Sequence, residues 1–133
     1  DKFFPNLRLV VVDAIGSIFA PAIGGNGLVG HAQMVAATML MQRIATRHHV
    51  AFVVCNHTTG VGRSSDAAED SSPALGQSWP YLPCVSIALA RHGEEVWSAT
   101  VRKSNKVDVG RSAYFKVSER GVENTTPVPA APA

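Results

Sequence analysis

Three polar residues follow two short apolar runs and together could handle a metal-bound phosphate. Asp13 comes directly after the run 7–12, and Asn56 and His57 come at the end of the run 50–57. One rigidly held carboxylate is enough to orient a hydrated Mg²⁺, because this ion keeps several of its waters. An amide and an imidazole beside it could contact the same phosphate and report its presence to the following loop. These residue types therefore favour magnesium-dependent nucleotide chemistry.

Each of the three residues also has an ordinary structural explanation. An aspartate after a strand can cap a turn or a helix, because its carboxylate accepts hydrogen bonds from nearby backbone N–H groups. Asn56 can close its strand, and His57 can be a solvated turn residue. Residue types alone leave both explanations open, so the placement of the two strand ends decides between them.

The elements around these residues predict that the two strand ends meet. The runs 7–12 and 50–57 are rich in valine, as is typical of strands covered on both faces. Between them, residues 28–49 carry apolar side chains at three- and four-residue steps, which predicts a long helix. Strand, helix and strand form a βαβ unit with parallel strands, so Asp13 and Asn56 should share the carboxyl edge of an α/β sheet.

The other segments predict loops, a hairpin and a tail. Glycine-rich residues 20–30 and the polar residues 58–79 read as loops. The runs 84–90, 96–102 and 113–118 predict short antiparallel strands, with a hairpin around His92 and Gly93. We expect residues 1–120 to form one domain and the Pro/Ala-rich residues 121–133 to be a disordered tail.

Composition restricts the function more by what is missing than by what is present. The net charge of +2 is too small to indicate nucleic-acid binding by itself, and no apolar run is long enough to cross a bilayer. No G-x-x-x-x-G-K-[ST] phosphate loop occurs, so we expect no tight ATP binding by these residues alone. A first strand so close to Asp1 suggests a piece of a longer chain, and the only cysteines, Cys55 and Cys84, are expected to be buried reduced thiols.

Several segments carry a family resemblance through their order and spacing. The strings "LRLVVVDAIGSIF", "VAFVVCNHTT", "PALGQSW" and "VRKSN" resemble the C-terminal half of the ATPase core of the RecA-like eukaryotic recombinase family. The resemblance covers about residues 7–120. It implies a three-layer RecA-like P-loop NTPase core, with a parallel βαβ unit followed by antiparallel late strands and with the P-loop half absent. The resemblance leaves open whether this chain is an enzyme. Members of the family are DNA-dependent ATPases, but this sequence lacks the Walker A loop.

The resemblance also implies roles for particular residues. Asp13 corresponds to the Walker B aspartate, which contacts Mg²⁺ through water, and Asn56-His57 corresponds to the family's phosphate sensor. Lys103 and Ser104 begin the segment that caps the ATP of a neighbouring protomer. The basic residues 102–111 also have a simpler explanation as a solvated hairpin rim. ATP and Mg²⁺ are therefore the implied ligands of a longer chain.

The implied function is homologous-recombination repair of DNA double-strand breaks in the nucleus, together with other recombinase paralogues and single-stranded DNA. Residues 21–30 and 58–72 correspond to DNA-facing loops, with Thr58, Thr59 and Arg63 as expected DNA contacts. We expect weak DNA binding, confined to the complex, because Arg63 stands among the acidic residues of 66–70 and the first loop lacks Lys and Arg.

Two alternatives belong to other classes of function. The chain could be a non-catalytic interaction module that docks a partner paralogue through its sheet edge. It could also derive from a helicase loader or a circadian-clock ATPase of the same superfamily, although "CNHTT" followed by "PALGQSW" argues against these.

Overall fold

A computed structural model describes residues 3–23, 27–59, 72–76 and 78–126. These residues form two compact units, which divide between Pro83 and Cys84. The first unit contains, in chain order, α1 (Phe3–Asn6), β1 (Leu9–Val12), α2 (Ile15–Ile23), α3 (Gly27–His48), β2 (Ala51–Val54), β3 (Thr58–Thr59), β4 (Ser72–Pro73) and a 3₁₀ turn (Trp79–Tyr81). The second contains β5 (Ser86–His92), β6 (Val96–Lys103), β7 (Ser112–Ser118) and β8 (Gly121–Asn124).

A parallel strand pair organises the first unit. β1 and β2 pair in parallel with Leu9 opposite Ala51 and Val12 opposite Val54, and the long helix α3 lies between them in sequence. The predicted βαβ unit is thereby confirmed. Both strands are valine-rich because β-branched side chains pack well on a pleated surface.

The core of the first unit lies directly behind the strand ends. Ile15 and Met34 are 1% and 0% exposed, and they form a cluster with Leu75 and Trp79. Ile15 comes two residues after Asp13, whereas Leu75 and Trp79 come from the segment after residues 60–71. Burying these apolar side chains therefore holds the chain on both sides of the strand ends in place.

The predicted loop 20–30 is partly wrong, because the structure places helix at both of its ends. α2 runs through Pro21 to Ile23 and α3 begins at Gly27, while residues 24–26 lie outside the described part of the chain. A proline inside a helix costs up to about 3 kcal/mol. Burial of Ile15 and packing of Phe19 against the core cluster offset that cost, since each buried apolar side chain contributes roughly 1.5–3 kcal/mol.

The second unit is a four-stranded antiparallel sheet in the order β5-β6-β7-β8. The three predicted late strands and the hairpin are confirmed: His92 pairs with Val96, and Gly93 supplies the positive φ of 71° that the turn needs.

The predicted tail 121–133 is wrong at its start, because β8 occupies residues 121–124. Gly121 adopts a φ of 106° and turns the chain back, so that Val122 pairs with Val117. The Lys116 ammonium lies 3.2 Å from the Glu123 carboxylate across the same two strands. Residues 127–133 lie outside the described residues.

The cysteine expectation is half right. Cys55 and Cys84 are both free thiols, but both are exposed rather than buried. Cys55 follows β2 at the open end of a two-stranded sheet, where no third strand in the described structure covers it. No helix among the described residues is both long and apolar enough to cross a membrane.

Replacing Met34 with alanine tests the core. We expect Met34→Ala to lower the free energy of unfolding by about 2–5 kcal/mol, because it empties a fully buried position. Met39→Ala is the matched control: Met39 lies on the same helix but is 58% exposed, so its loss should change stability by less than about 0.5 kcal/mol. Guanidinium titration followed by tryptophan fluorescence measures both. Equal midpoints for the two variants would contradict this assignment of the core.

Candidate phosphate-binding site

Backbone hydrogen bonds bring the two polar strand ends to the same edge. The Cys55 N–H donates to the Val12 carbonyl at 2.8 Å, and the Ile15 N–H donates to the Cys55 carbonyl at 3.0 Å. Asp13 therefore lies beside Cys55, next to Asn56 and His57 in the chain. This juxtaposition is the one predicted from the order of the elements.

The Asp13 carboxylate is exposed and forms no hydrogen bond with the described residues. It precedes the first residue of α2 by two positions, where the helix dipole gives a partial positive charge. The helix-cap explanation for Asp13 is thus not realised among the described residues. The carboxylate is available to a ligand at the strand edge.

Asn56 is held in a fixed orientation by its neighbour Ala74. The Asn56 Nδ2 donates to the Ala74 carbonyl at 2.9 Å, and the Ala74 N–H donates to the His57 carbonyl at 2.8 Å. Since a carbonyl only accepts, the side-chain atom facing it must be the amide nitrogen. The other end of the amide, Oδ1, is buried and has no hydrogen-bond partner within the described structure.

Gly16 leaves the space into which Asn56 Oδ1 points. A Cβ at Gly16 would lie 3.3 Å from Asn56 Oδ1 and 3.8 Å from His57 Cδ2. The first distance is tighter than an ordinary van der Waals contact, so a larger residue would force Asn56 to shift. The absence of a side chain at the start of α2 therefore keeps the strand edge open beside Asp13.

Both Asn56 and His57 keep polar groups that a ligand could meet. The Asn56 amide nitrogen gives one of its two N–H donors to the Ala74 carbonyl, which leaves the second N–H and the buried acceptor Oδ1. A phosphate at neutral pH offers mostly acceptors, so the group that satisfies Oδ1 must be a donor such as a water molecule. The His57 imidazole is exposed and also has a donor to offer a phosphate. Its sensor role stays a prediction.

The residues at this edge suit magnesium and a phosphate group. The exposed Asp13 carboxylate suits a hydrated cation, and the buried Asn56 Oδ1, which has no partner among the described residues, can accept a hydrogen bond from a water. No group of three or more His, Cys, Asp or Glu side chains among the described residues could enclose a metal ion. Mg²⁺ does not need such a cage, because one or two carboxylates together with substrate phosphates suffice.

The predicted DNA contacts lie only partly within the described residues. Thr58 and Thr59 form β3, which pairs antiparallel with β4, Thr58 opposite Pro73 and Thr59 opposite Ser72. This pairing closes the base of the segment 60–71. Arg63 lies in that segment, outside the described residues, and its role stays a prediction.

Lys103 and Ser104 belong to the second unit, at the end of β6. The Ser104 hydroxyl accepts hydrogen bonds from the Lys106 and Val107 N–H groups at 3.0 and 3.1 Å, which shapes the turn after the strand. Ser104 therefore has a local structural role. The predicted nucleotide-capping role of both residues is not tested by this turn.

Sequence reasoning missed two contributors to the site and one contact behind it. Gly16 and Ala74 contribute space and a backbone carbonyl, neither of which leaves a distinctive residue pattern. The contact between His31 Nε2 and Ser78 Oγ joins α3 to the segment after β4. "PALGQSW" marked this segment as notable, but only the fold shows which side chains it contacts.

A solved structure defines the class of fold. The crystal structure of the RadB recombinase matches with a TM-score of 0.69 and 24% sequence identity, over 92% of this chain and 53% of that one. The chain therefore has a RecA-like α/β fold, as its sequence predicted. No family model matches the chain.

The curated relatives are more specific. The chain is 36% identical over 83 residues to "Probable DNA repair protein RAD51 homolog 4" of Dictyostelium discoideum, covering 62% of this chain and 22% of that protein. It is 35% identical over 83 residues to the DNA repair protein RAD51 homolog 4 of Bos taurus, covering 62% and 24%. The Mus musculus protein of that name is 28% identical over 127 residues, covering 91% and 37%.

These matches support the RecA-like recombinase resemblance. RAD51 homolog 4 is the D-type paralogue of the family. The chain spans between 22% and 37% of the length of these curated relatives.

Replacing Asn56 with aspartate tests the clamp between Asn56 and Ala74. We expect Asn56→Asp to lower the free energy of unfolding by about 1–3 kcal/mol, because a carboxylate oxygen would face the Ala74 carbonyl without a proton between them. Hydrogen exchange at the Ala74 N–H should accelerate as well. Asn105→Asp, at an exposed turn, is the control. A loss of stability no greater than that of the control would show that Asn56 is not clamped.

Proposed function

We propose that this chain is part of a RecA-like recombinase paralogue that acts in homologous-recombination repair of DNA double-strand breaks. The observation that carries the proposal is the shared strand edge, where backbone hydrogen bonds place Asp13 beside Cys55, the residue before Asn56 and the exposed His57. The similarity to RAD51 homolog 4 proteins named for DNA repair supports it. The compartment that corresponds to this function is the nucleus.

In this proposal Asp13 holds Mg²⁺ through water and Asn56 accepts a hydrogen bond from a water at the same edge. His57 donates to a phosphate oxygen of ATP. The metal neutralises charge on the phosphates when it is bound. Gly16 keeps the approach to these residues open, and the Asn56–Ala74 clamp connects the edge to the segment that follows β4.

The phosphate loop, the DNA and the partners belong to the wider assembly. The 133 residues contain no glycine-rich lysine loop, so ATP binding requires sequence beyond them. Thr58, Thr59 and Arg63 would contact single-stranded DNA from the segment that β3 and β4 close. Other recombinase paralogues are the proposed partners, and Lys103 and Ser104 would approach the nucleotide of a neighbouring subunit.

Replacing Asp13 with asparagine tests the nucleotide role. In a full-length chain that carries these residues together with a phosphate loop, Asp13→Asn should weaken magnesium-dependent binding of a fluorescent ATP analogue about 10–100-fold, the usual effect of losing an outer-shell metal partner. Without magnesium the two proteins should bind alike.

Asp108→Asn is the matched control, since it removes the same charge from an exposed position of the second unit. It should leave magnesium-dependent binding unchanged. The nucleotide role is refuted if Asp13→Asn binds the analogue as tightly as the wild type in magnesium. Tight ATP binding by the 133-residue chain would instead refute the need for further sequence.

A second candidate function is a non-catalytic module that docks a partner paralogue through a sheet edge. β5 is an edge strand of the four-stranded sheet, and its Ile87 and Leu89 are exposed. An unpaired strand edge offers backbone hydrogen bonds to a strand of another protein, and exposed apolar side chains beside it add area to bury.

Two substitutions separate the candidates. If docking is the function, Leu89→Lys should weaken co-purification with a partner paralogue at least about fivefold, while Asp13→Asn should leave it unchanged. Val109→Lys, which alters an exposed valine outside the strands, is the control. Loss of assembly on Asp13→Asn with Leu89→Lys unaffected would favour the nucleotide-dependent candidate.

A further inference from the structure

Helix α3 carries two apolar faces, of which the fold uses only one. The inner face contains Met34 and Thr38, both buried, and Met41, which packs against the core cluster. The opposite face contains Val29, Ala32, Ala36, Met39 and Leu40, all exposed, and we call these five residues the outer stripe. Their spacing of three and four residues places them on one side of the helix.

The outer stripe is unusual for a helix surface that faces water. Val29, Met39 and Leu40 are 57%, 58% and 54% exposed. No Asp, Glu, Lys or Arg occurs from residue 28 to residue 42, whereas the solvent face of a helix normally carries charges. Contiguous exposed apolar side chains of this kind mark interaction surfaces.

Two arginines follow the outer stripe along the helix. Arg43 and Arg47 continue the same side of the helix, four residues apart, and line an open depression of about 390 Å³ together with Gln42 and Thr46. α3 contains no acidic residue. Neither arginine forms a hydrogen bond or ion pair with any residue in the described part of the chain. The helix thus presents an apolar stripe followed by two cations, for which the described residues supply no counter-charge.

We propose that the outer stripe docks an α-helix of a partner protein, with apolar residues against Met39 and Leu40 and carboxylates against Arg43 and Arg47. From Val29 to Arg47, the outer stripe and the two arginines cover 19 residues and a rise of about 27 Å, or roughly five helical turns. A helix can match it because its own apolar side chains repeat at the same three- and four-residue steps. The inference does not depend on nucleotide binding.

The charges of α3 favour a helix of a different protein on the outer stripe over a second copy of this chain. Two copies of α3 packed together would bring four arginines and no carboxylates to the contact, because the helix has no acidic residue. In a parallel pair the arginines would repel each other, and in an antiparallel pair they would face apolar residues near Val29. An acidic, amphipathic helix satisfies both ends of the surface.

The affinity should be modest. A single helix laid along the outer stripe buries less than the roughly 800 Å² per partner of a standard interface. We therefore expect a dissociation constant on the order of tens of micromolar for an isolated helix.

Two synthetic helical peptides test the proposal on the 133-residue chain. Both are about 22 residues long with leucines at alternating three- and four-residue steps. One carries glutamates beside the leucines at one end, and the other carries lysines there. We expect fluorescence anisotropy to show binding of the glutamate peptide. Arg43→Glu with Arg47→Glu should weaken that binding about tenfold and create binding of the lysine peptide.

Controls separate the surface from the rest of the molecule. Arg120→Glu alters an exposed arginine of the second unit and should change neither peptide's affinity. Met39→Glu with Leu40→Glu should abolish binding of both peptides while circular dichroism shows an unchanged fold, since both positions are exposed.

Five results would overturn the proposal. The first is that the glutamate peptide does not bind at about 1 mM. The second is binding that survives Met39→Glu with Leu40→Glu, and the third is equal binding of both peptides by the wild type. The fourth is self-association in sedimentation that Met39→Glu abolishes, which would assign the surface to a second copy. If a single-stranded oligonucleotide displaces the glutamate peptide through Arg43 and Arg47, the occupant is nucleic acid and the proposal fails as well.

Discussion

The parallel pairing of β1 with β2 is the constraint on which the candidate site depends. The hydrogen bond from the Ile15 N–H to the Cys55 carbonyl continues this pairing beyond the ends of the strands. The residues that follow β1 and β2 are therefore held in a fixed register. Ile15 is also the side chain most deeply inserted next to Met34. Ile15 thus both fixes the position of Asp13, two residues earlier in the chain, and anchors the core. Any loss of packing behind the sheet would separate the polar residues in front of it.

The same region connects the strand edge to a distant part of the sequence. Ala74 contacts both Asn56 and His57 through its carbonyl and its N–H, and Leu75 enters the core immediately afterwards. The segment after β4 is therefore held by polar contacts on one side and apolar burial on the other. In the proposed function, a ligand that alters Asn56 or His57 would act on this segment directly. The buried Oδ1 of Asn56 is the group with most to gain from a ligand, because leaving a buried acceptor unpaired is costly.

Helix α3 carries the proposed partner surface on one face and supports the candidate site with the other. Its inner face supplies Met34 to the core, and its outer stripe is exposed along the same turns. A partner helix on the outer stripe would add burial to the helix that supports the strand edge. If both proposals hold, a phosphate site and a protein contact share one βαβ unit.

Sequence by itself determined the βαβ order and the candidate residues, because apolar runs that end in Asp13 and in Asn56-His57 are local patterns. It also placed β5, β6 and β7 and their hairpin. Only the tertiary structure decided that Pro21 lies in a helix, since packing of Ile15 and Phe19 outweighs the local preference. It likewise revealed β8, whose pairing depends on β7 rather than on its own composition. The orientation of the Asn56 amide, with Nδ2 toward the Ala74 carbonyl and Oδ1 buried, depends on a backbone group that no residue pattern can reveal.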